Sequence, residues 1–348
     1  MATAVVSPTQ TKKKAWIRRR QDSTAWVRRA VQWGFLALNI WIGVEFWLFV
    51  RYYETGGAGI WVDRPAGIEG WLPIASLMNL KLWWATGKVP GVHPAGMFLL
   101  LAFVAISLLL RKAFCGWLCP IGTISEYLWR LGRKLFRRNF ALPKWADLPL
   151  RSLKYILMGL FLYAVGGMSA AAIAFFLEGP YGLIADVKML NFFRYLSFGG
   201  ALVIAALVLL SVFVQNFWCR YLCPYGALLG MFSWMSPVRI RRVESKCIDC
   251  AKCAHACPSQ LAVDKLIQIQ SPECLGCYEC VVSCPAEGAL DMTVVGRRPV
   301  PAWAMAAALG VIFFGAVSYA RLTGSWYTNV PSDTYFQLVP RANEFGHP

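Results

Sequence analysis

Histidine is nearly missing: the chain of 348 residues has three, His93, His255 and His347. None is paired with another inside an apolar run, which excludes a bis-histidine haem b, and the absence of any CxxCH excludes covalently attached haem c. Acidic residues are also scarce, 18 against 35 Lys and Arg, and only 15% of residues are charged while 57% are hydrophobic. A chain of this length has room for two or three soluble domains, but such a composition belongs in a bilayer. No signal peptide is expected, since no short apolar region with a small-residue cleavage site follows the basic stretch KKKAWIRRR before the first full-length span. No segment is long enough for a signalling output domain, which argues against a redox sensor.

What is present begins with five apolar runs, approximately Val31 to Val50, His93 to Phe114, Tyr155 to Leu177, Leu196 to Phe217 and Ala302 to Ala320. Each is long enough, or nearly so, to cross about 30 Å of hydrocarbon at about 1.5 Å per helical residue. Of the Lys and Arg, 27 fall on the N-terminal arm, alternate loops and the inner end of the second run (Arg111 and Lys112), and 8 on the other segments. This is the positive-inside pattern, with the N-terminus inside and the C-terminal tail outside, as expected of a multi-pass protein of the bacterial cytoplasmic membrane. It also accounts for the net charge of +17 without nucleic acid, leaving membrane lipid as the partner of the basic arm. The expected fold is mainly α: about five transmembrane helices, as two parallel repeats plus one, with an inserted cytoplasmic α+β ferredoxin-like domain. Its parts are a basic arm (1–30), repeat one (31–122), an amphipathic segment (123–154), repeat two (155–238), the inserted domain (239–298), a fifth span (301–320) and an outer tail (321–348).

All twelve cysteines fall on the inner side of this topology and none on the outer loops, so metal ligation or redox chemistry is expected rather than structural disulfides. Four end the second and fourth runs in one signature: FCGWLCPIG carries Cys115 and Cys119, and WCRYLCPYG carries Cys219 and Cys223. The outer loops before these runs also correspond, Ile74–Leu80 overlaying Ile184–Leu190. Two units of one orientation imply a pseudo-two-fold axis along the membrane normal, bringing the four cysteines together. Three roles compete for them: a four-thiolate metal or Fe-S centre, a redox-active dithiol set, and buried structural thiols. Buried structural thiols explain neither spacing nor proline, and ferredoxin CxxxC pairs serve different clusters, which inclines the reading to a dithiol or transient metal site. After the first signature, Thr123-x-x-Glu126 reads as a capping box opening an amphipathic helix on the inner surface.

The other eight cysteines form CIDCAKCAHACP and CLGCYECVVSCP, with sixteen residues between Cys257 and Cys274. Two CxxCxxCxxxCP runs signal two [4Fe-4S] clusters, the fourth cysteine of each run crossing to the other cluster. Cys247, Cys250, Cys253 and Cys284 are then one ligand set, and Cys274, Cys277, Cys280 and Cys257 the other. A zinc ribbon needs only four ligands per ion and leaves the repeated Cys-Pro ending unexplained.

These motifs together resemble the NapH/NosR/CcoG group of membrane polyferredoxins, over roughly Ala30 to Thr293. The resemblance implies cluster ligands at the eight cysteines, a functional pair at each CxxxCP, and electron transfer between the quinone pool and a partner oxidoreductase or cytochrome subunit. It equally admits an assembly factor that reduces a metal or disulfide during maturation of a respiratory metalloenzyme. An oxidoreductase subunit of quinol dehydrogenase type is expected in preference to a stand-alone enzyme. The chain departs from the group in having no flavin-sized outer domain, only a short tail and a fifth span after the ferredoxin. Candidate quinone-site residues are Glu45, the one carboxylate inside a span, and His93 in GVHPAG at the outer end of the second. A quinol oxidised beside Glu45 would lie most of the membrane away from the inner-side clusters. His255, between Cys253 and Cys257, is expected to tune or cover a cluster.

Overall fold

The computed structural model describes residues 17–19, 23–137, 140–294 and 298–347; most of the basic arm and Arg138 lie outside the described residues. Helix α1 (Thr24–Glu54) runs the length of the molecule. A 3-10 turn (Ala66–Trp71) leads through α2 (Pro73–Thr86) to α3 (Pro94–Leu110). A π-helical turn (Phe114–Leu118) then opens α4 (Pro120–Phe136). The forms return as α5 (Lys144–Gly167), the short α6 (Ala170–Glu178) and α7 (Pro180–Leu183), α8 (Ala185–Arg194) and α9 (Phe198–Phe213). A second π turn (Trp218–Leu222) opens α10 (Pro224–Ser233).

The inserted segment holds β1 (Val238–Arg242), α11 (Lys252–Ala256), α12 (Glu279–Val282), β2 (Leu290–Val294) and β3 (Arg298–Pro299). The sheet order is β1-β2-β3, antiparallel, with Val238 opposite Val294 and Arg242 opposite Leu290. Helices α13 (Ala302–Leu322) and α14 (Ser332–Leu338) follow.

Helices α1, α5 (from Trp145) and α13 are long and apolar enough to cross a membrane, and α8 with α9 make a fourth if that pair, bent by 83°, is one span. Helix α3 is equally apolar but has 17 residues, about 25 Å. The five expected runs therefore map onto helices of unequal length. The third run is displaced: its helix starts at Lys144, earlier than Tyr155, and stops at Gly167, where Ser169 caps α6 by accepting from the Ala172 amide at 3.1 Å. Most side chains of the long helices face outward, as they do where lipid is the solvent.

The capping box expected at Thr123 is absent. Helix α4 begins at Pro120, with Cys119 as its N-cap, and the Thr123 hydroxyl donates to the Cys119 carbonyl at 3.2 Å. Glu126, one turn further in, is buried against Arg28 and Gln32 of α1. One face of α4 lies across α9 so closely that a Cβ on Gly132 would fall 1.9 Å from the Val212 carbonyl oxygen. The outer tail is packed: Tyr335, Val339 and Ala342 join Phe46, Phe49, Val50 and Tyr53 of α1 in one apolar cluster.

Candidate functional site: a cysteine-lined cavity

The two CxxxCP signatures fold alike. Each CxxxC occupies a π turn closed by an amide-to-carbonyl bond spanning five residues, Cys119 to Phe114 at 2.9 Å and Cys223 to Trp218 at 3.0 Å. The second cysteine of each then serves as N-cap, with proline at the first helical position, where its missing N–H costs nothing. The amides of Gly122 and Gly226 point at the sulfurs of Cys119 and Cys223, at 3.5 and 3.3 Å. This explains the Cys-Pro-x-Gly ending: the proline fixes the helix start, and the glycine amide meets the thiol. At Gly122 the fit is closed, since a Cβ would lie 2.3 Å from the Cys115 carbonyl oxygen.

Both pairs line one cavity of about 1100 Å³. Cys219 lies within electrostatic reach of Cys223, Cys119 and Cys115, so the structure brings the two signatures together. Burial pushes the Cys119 thiol up to about 11 and the Cys115 thiol further. Most of the cavity wall is apolar, with Phe35, Ile42, Leu77, Phe103, Phe161 and Phe313 among its residues, and Phe103 and Phe114 stacked at 3.9 Å between centroids; Glu45, Arg64, Lys112, Arg220 and Glu273 supply charged groups.

The inserted domain seats its second motif on the π turns. Trp117 donates to the Gly276 carbonyl at 3.0 Å, and Gly116 has no room for a Cβ, which would come 2.9 Å from the Leu275 oxygen. From the other repeat, Arg220 donates to the Ser259 carbonyl at 2.7 Å while held by Asp147. Within the domain, Cys257 neighbours Cys274, and Cys280 neighbours Cys277, Cys257, Cys274 and Cys253. Cys284 neighbours Cys250 and Cys247, and Cys253 neighbours Cys284. The last cysteine of each motif thus lies near cysteines of the other motif. Burial pushes the Cys257 thiol up to about 11, and the thiols of Cys277 and Cys280 also upward. Neutral thiols suit such a site until a cationic iron core offsets the cost of thiolate, so this donor set fits iron-sulfur clusters. Cys257, Cys274 and Cys280 are buried, whereas Cys250 is exposed.

Between the cavity and this buried set lies a charged knot. Lys154 donates to both carboxylate oxygens of Glu273 at 2.6 and 2.7 Å, Tyr155 donates at 2.8 Å, and Lys112 stands 3.5 Å away. Burial alone would raise the Glu273 pKa, but the two ammoniums outweigh it and hold the carboxyl down at about 2.

Glu45 lines the cavity, half-buried, on α1. His93 is not among the lining residues. Its Nδ1 faces Arg64 at 3.0 Å and its Nε2 the Gly182 carbonyl at 2.8 Å. Since Arg64 only donates, Nδ1 accepts and Nε2 carries the proton. Arg64 also binds Glu69 at 2.6 Å and Asp186 at 2.7 Å, so the histidine belongs to a buried clasp joining the two repeats. His255 is exposed on α11.

Several contacts escaped the sequence reading. Lys112 and Lys154 were counted only as loop charges. Arg19, read with the basic arm, donates to the Val281 and Leu290 carbonyls at 3.1 Å and pairs with Asp291, beside the Cys284 loop. The one available signal was positional, Lys112 standing three residues before the first CxxxCP.

A family model described as a 4Fe-4S binding domain matches residues 92–139 and 196–242, the two stretches containing the π turns, and a 4Fe-4S dicluster domain matches 239–298. The chain is similar to the putative electron transport protein YccM of Escherichia coli K12, 48% identical over 335 residues covering 94% of this chain and 93% of that protein. It is similar to the ferredoxin-type protein NapH of Escherichia coli K12, 27% identical over 254 residues, 71% of this chain and 78% of NapH. The regulatory protein NosR of Pseudomonas aeruginosa is 36% identical over 173 residues, 47% of this chain and 23% of NosR. No solved structure matches. A helical membrane chain with paired CxxxCP turns and a dicluster insertion, alike over nearly its whole length to a protein of this kind, belongs to the NapH/NosR-type family of 4Fe-4S membrane proteins.

Proposed function

We propose that this electron-transport protein passes electrons between the quinone/quinol pool and a partner respiratory oxidoreductase or cytochrome subunit, through two [4Fe-4S] clusters. Cys274, Cys277, Cys280 and Cys257 hold the cluster next to the membrane. Cys247, Cys250, Cys253 and Cys284 hold the one whose exposed Cys250 meets the partner. The protein crosses the bacterial inner membrane five times, with the ferredoxin domain inside and α14 outside.

The observation that carries this reading is the cavity. One largely apolar chamber large enough for an isoprenoid quinone shares its wall with both CxxxCP turns and with Glu273 and Leu275, the residues on either side of Cys274. A quinone at its inner end stands next to the first cluster, which removes the membrane-wide gap that a site beside Glu45 would leave. A quinol gives up two electrons and two protons; the clusters take one electron each, and the protons pass to water.

The test is anaerobic addition of a quinol to the purified full-length protein in liposomes while cluster absorbance is followed. Bleaching is expected, slowed by Phe161→Trp, which narrows the chamber. Clusters reduced by dithionite but untouched by ubiquinol or menaquinol analogues would refute quinol as the donor and leave the maturation-factor reading.

A further inference from the structure

Each CxxxCP turn is preceded, three residues before its first cysteine, by a polar residue: Lys112 before Cys115 and Asn216 before Cys219. The two positions are equivalent in the repeats, and both residues line the chamber that the four cysteines share. Both are almost wholly buried, at 3% and 8% exposure, where a polar group is costly unless a hydrogen bond answers it. Lys112 has three donors and, among the described residues, one hydrogen-bond acceptor, Glu273, at 3.5 Å. Lys154 and Tyr155 hold the same carboxylate at 2.6 to 2.8 Å, so Lys112 is its most distant partner. The Asn216 carbonyl accepts from the Arg220 amide at 2.8 Å, but its side-chain amide has no hydrogen-bond partner among the described residues.

Asn216 stands at φ 52°, a left-handed turn that asparagine tolerates and glycine adopts freely. Backbone conformation therefore accounts for a small residue at this position, but not for a buried amide on the wall of a largely apolar chamber. Lys112 lies within electrostatic reach of Cys115 and Cys223, and Tyr225 of Cys115, Cys119 and Cys223, which places both at the cysteine end of the chamber. Phe114 and Tyr225, edge-on at 6.0 Å, and Phe103 supply aromatic wall there. Flat apolar walls with one hydrogen-bond donor from each repeat suit a flat ring that carries an oxygen at each of two opposite positions.

We propose that the head of a para-quinone or its quinol binds at the cysteine end of the chamber between Lys112 and Asn216, each donating to one of its two oxygens, while the isoprenoid tail runs along the wall toward Ile42 and Trp71. This placement rests on the quinol reading above and names the residues that recognise the substrate. It adds no chemical step: Lys112 keeps its proton, and the electrons and protons leave as stated there. Donors on both oxygens select a para-quinone over a phenol, which offers only one.

The experiment uses the full-length protein purified anaerobically in detergent. Binding of a short-chain ubiquinone analogue is followed by quenching of tryptophan fluorescence, and the corresponding phenol, which lacks one oxygen, is measured by competition. Wild type is compared with Lys112→Met, Lys112→Arg and Asn216→Gly, the last of which keeps the left-handed turn and removes only the amide. Wild type should prefer the quinone to the phenol by about tenfold, and Lys112→Met and Asn216→Gly should each weaken quinone binding by about fivefold or more and shrink that preference. Lys112→Arg should recover most of the affinity. EPR signals of both ferredoxin clusters persisting after dithionite show that a variant has folded; should Lys112→Met lose them, Asn216→Gly and Lys112→Gln carry the same comparison. Quinone binding and cluster bleaching unchanged in the variants would overturn the placement and leave the quinol reading standing. Binding lost in Glu45→Gln alone would move the head to the other end of the chamber and overturn it too. Unchanged affinity with a shifted cluster potential would assign the two side chains to cysteine sulfur instead, and a wild type that binds no quinone would overturn both readings.

Discussion

Gly122 and Gly226 hold the same place in the two signatures, yet their surroundings differ. A methyl on Gly122 meets the Cys115 carbonyl at 2.3 Å, whereas on Gly226 the nearest atom is the Cys223 sulfur at 3.6 Å, an ordinary contact. Gly122→Ala should therefore cost about 1–3 kcal/mol through forced backbone movement, and Gly226→Ala less than about 1. Thermal unfolding of the two variants in detergent checks this, and equal shifts would contradict it. Glu126 gives the second residue-scale prediction. Burial pushes its carboxyl up, but Arg28 and Arg130 outweigh that and hold it below the usual range. A depressed carboxyl stabilises the fold above its unfolded pKa of about 4.3 and loses that contribution as pH falls below it. Glu126→Gln should cost about 3 kcal/mol near neutrality, Glu279 still pairing with Arg28. The gap from wild type should narrow on acidification below about pH 4. Neither partnership was legible in the sequence: Thr123-x-x-Glu126 matches a capping box, but the proline starts the helix earlier, and Arg28 stands 98 residues away.

At the scale of elements, the repeat was readable because it recurs as spacing: cysteine, three residues, cysteine, proline, glycine. Its conformation was not, since a π turn depends on five-residue hydrogen bonds that leave no pattern in residue type. The difference between the repeats was also visible as letters, Trp117 against Tyr221 and Gly116 against Arg220, without a meaning. In the fold these residues dock the inserted domain, Gly116 by having no side chain, Trp117 by its indole and Arg220 by its guanidinium. Trp117→Phe keeps the ring and removes one buried hydrogen bond, so stability should fall by about 1–2 kcal/mol. The EPR signal of the Cys274 cluster should broaden while that of the Cys250 cluster stays unchanged; a change confined to the exposed cluster would contradict this docking. The tail shows the opposite case. Nothing in its length suggested packing, yet α14 covers Phe49 and Tyr53 with Tyr335, stacked edge-on at 5.2 Å from Phe49. Helix α1 leaves that aromatic face open at its outer end, and the tail fills it.

Over the whole molecule the cysteines differ in burial: Cys257, Cys274 and Cys280 are buried, the four cavity cysteines are partly buried, and Cys250 is exposed. In the ligand assignment proposed above, Cys250→Ser removes a ligand from the cluster of Cys247, Cys253 and Cys284 alone. We expect its signal to be lost or altered and transfer to a soluble acceptor to fall at least tenfold, while reduction of the membrane-side cluster persists; EPR with and without acceptor measures both. Loss of the membrane-side signal instead would reverse the ligand assignment.

The sequence by itself determined the apolar runs, the charge asymmetry, the twin signatures and the paired CxxCxxCxxxCP motifs, because each is a local spacing that hydrophobic transfer or cluster geometry imposes directly on the chain. Only the tertiary structure decided that the two CxxxCP turns share one chamber, that His93 is locked into a clasp with Arg64, and that Lys112 and Lys154 share the one carboxylate of Glu273 beside the thiols. Those facts depend on side chains far apart in the chain being buried against one another. A buried charge or thiol takes its meaning from which partners lie within a few ångströms, where water no longer screens them.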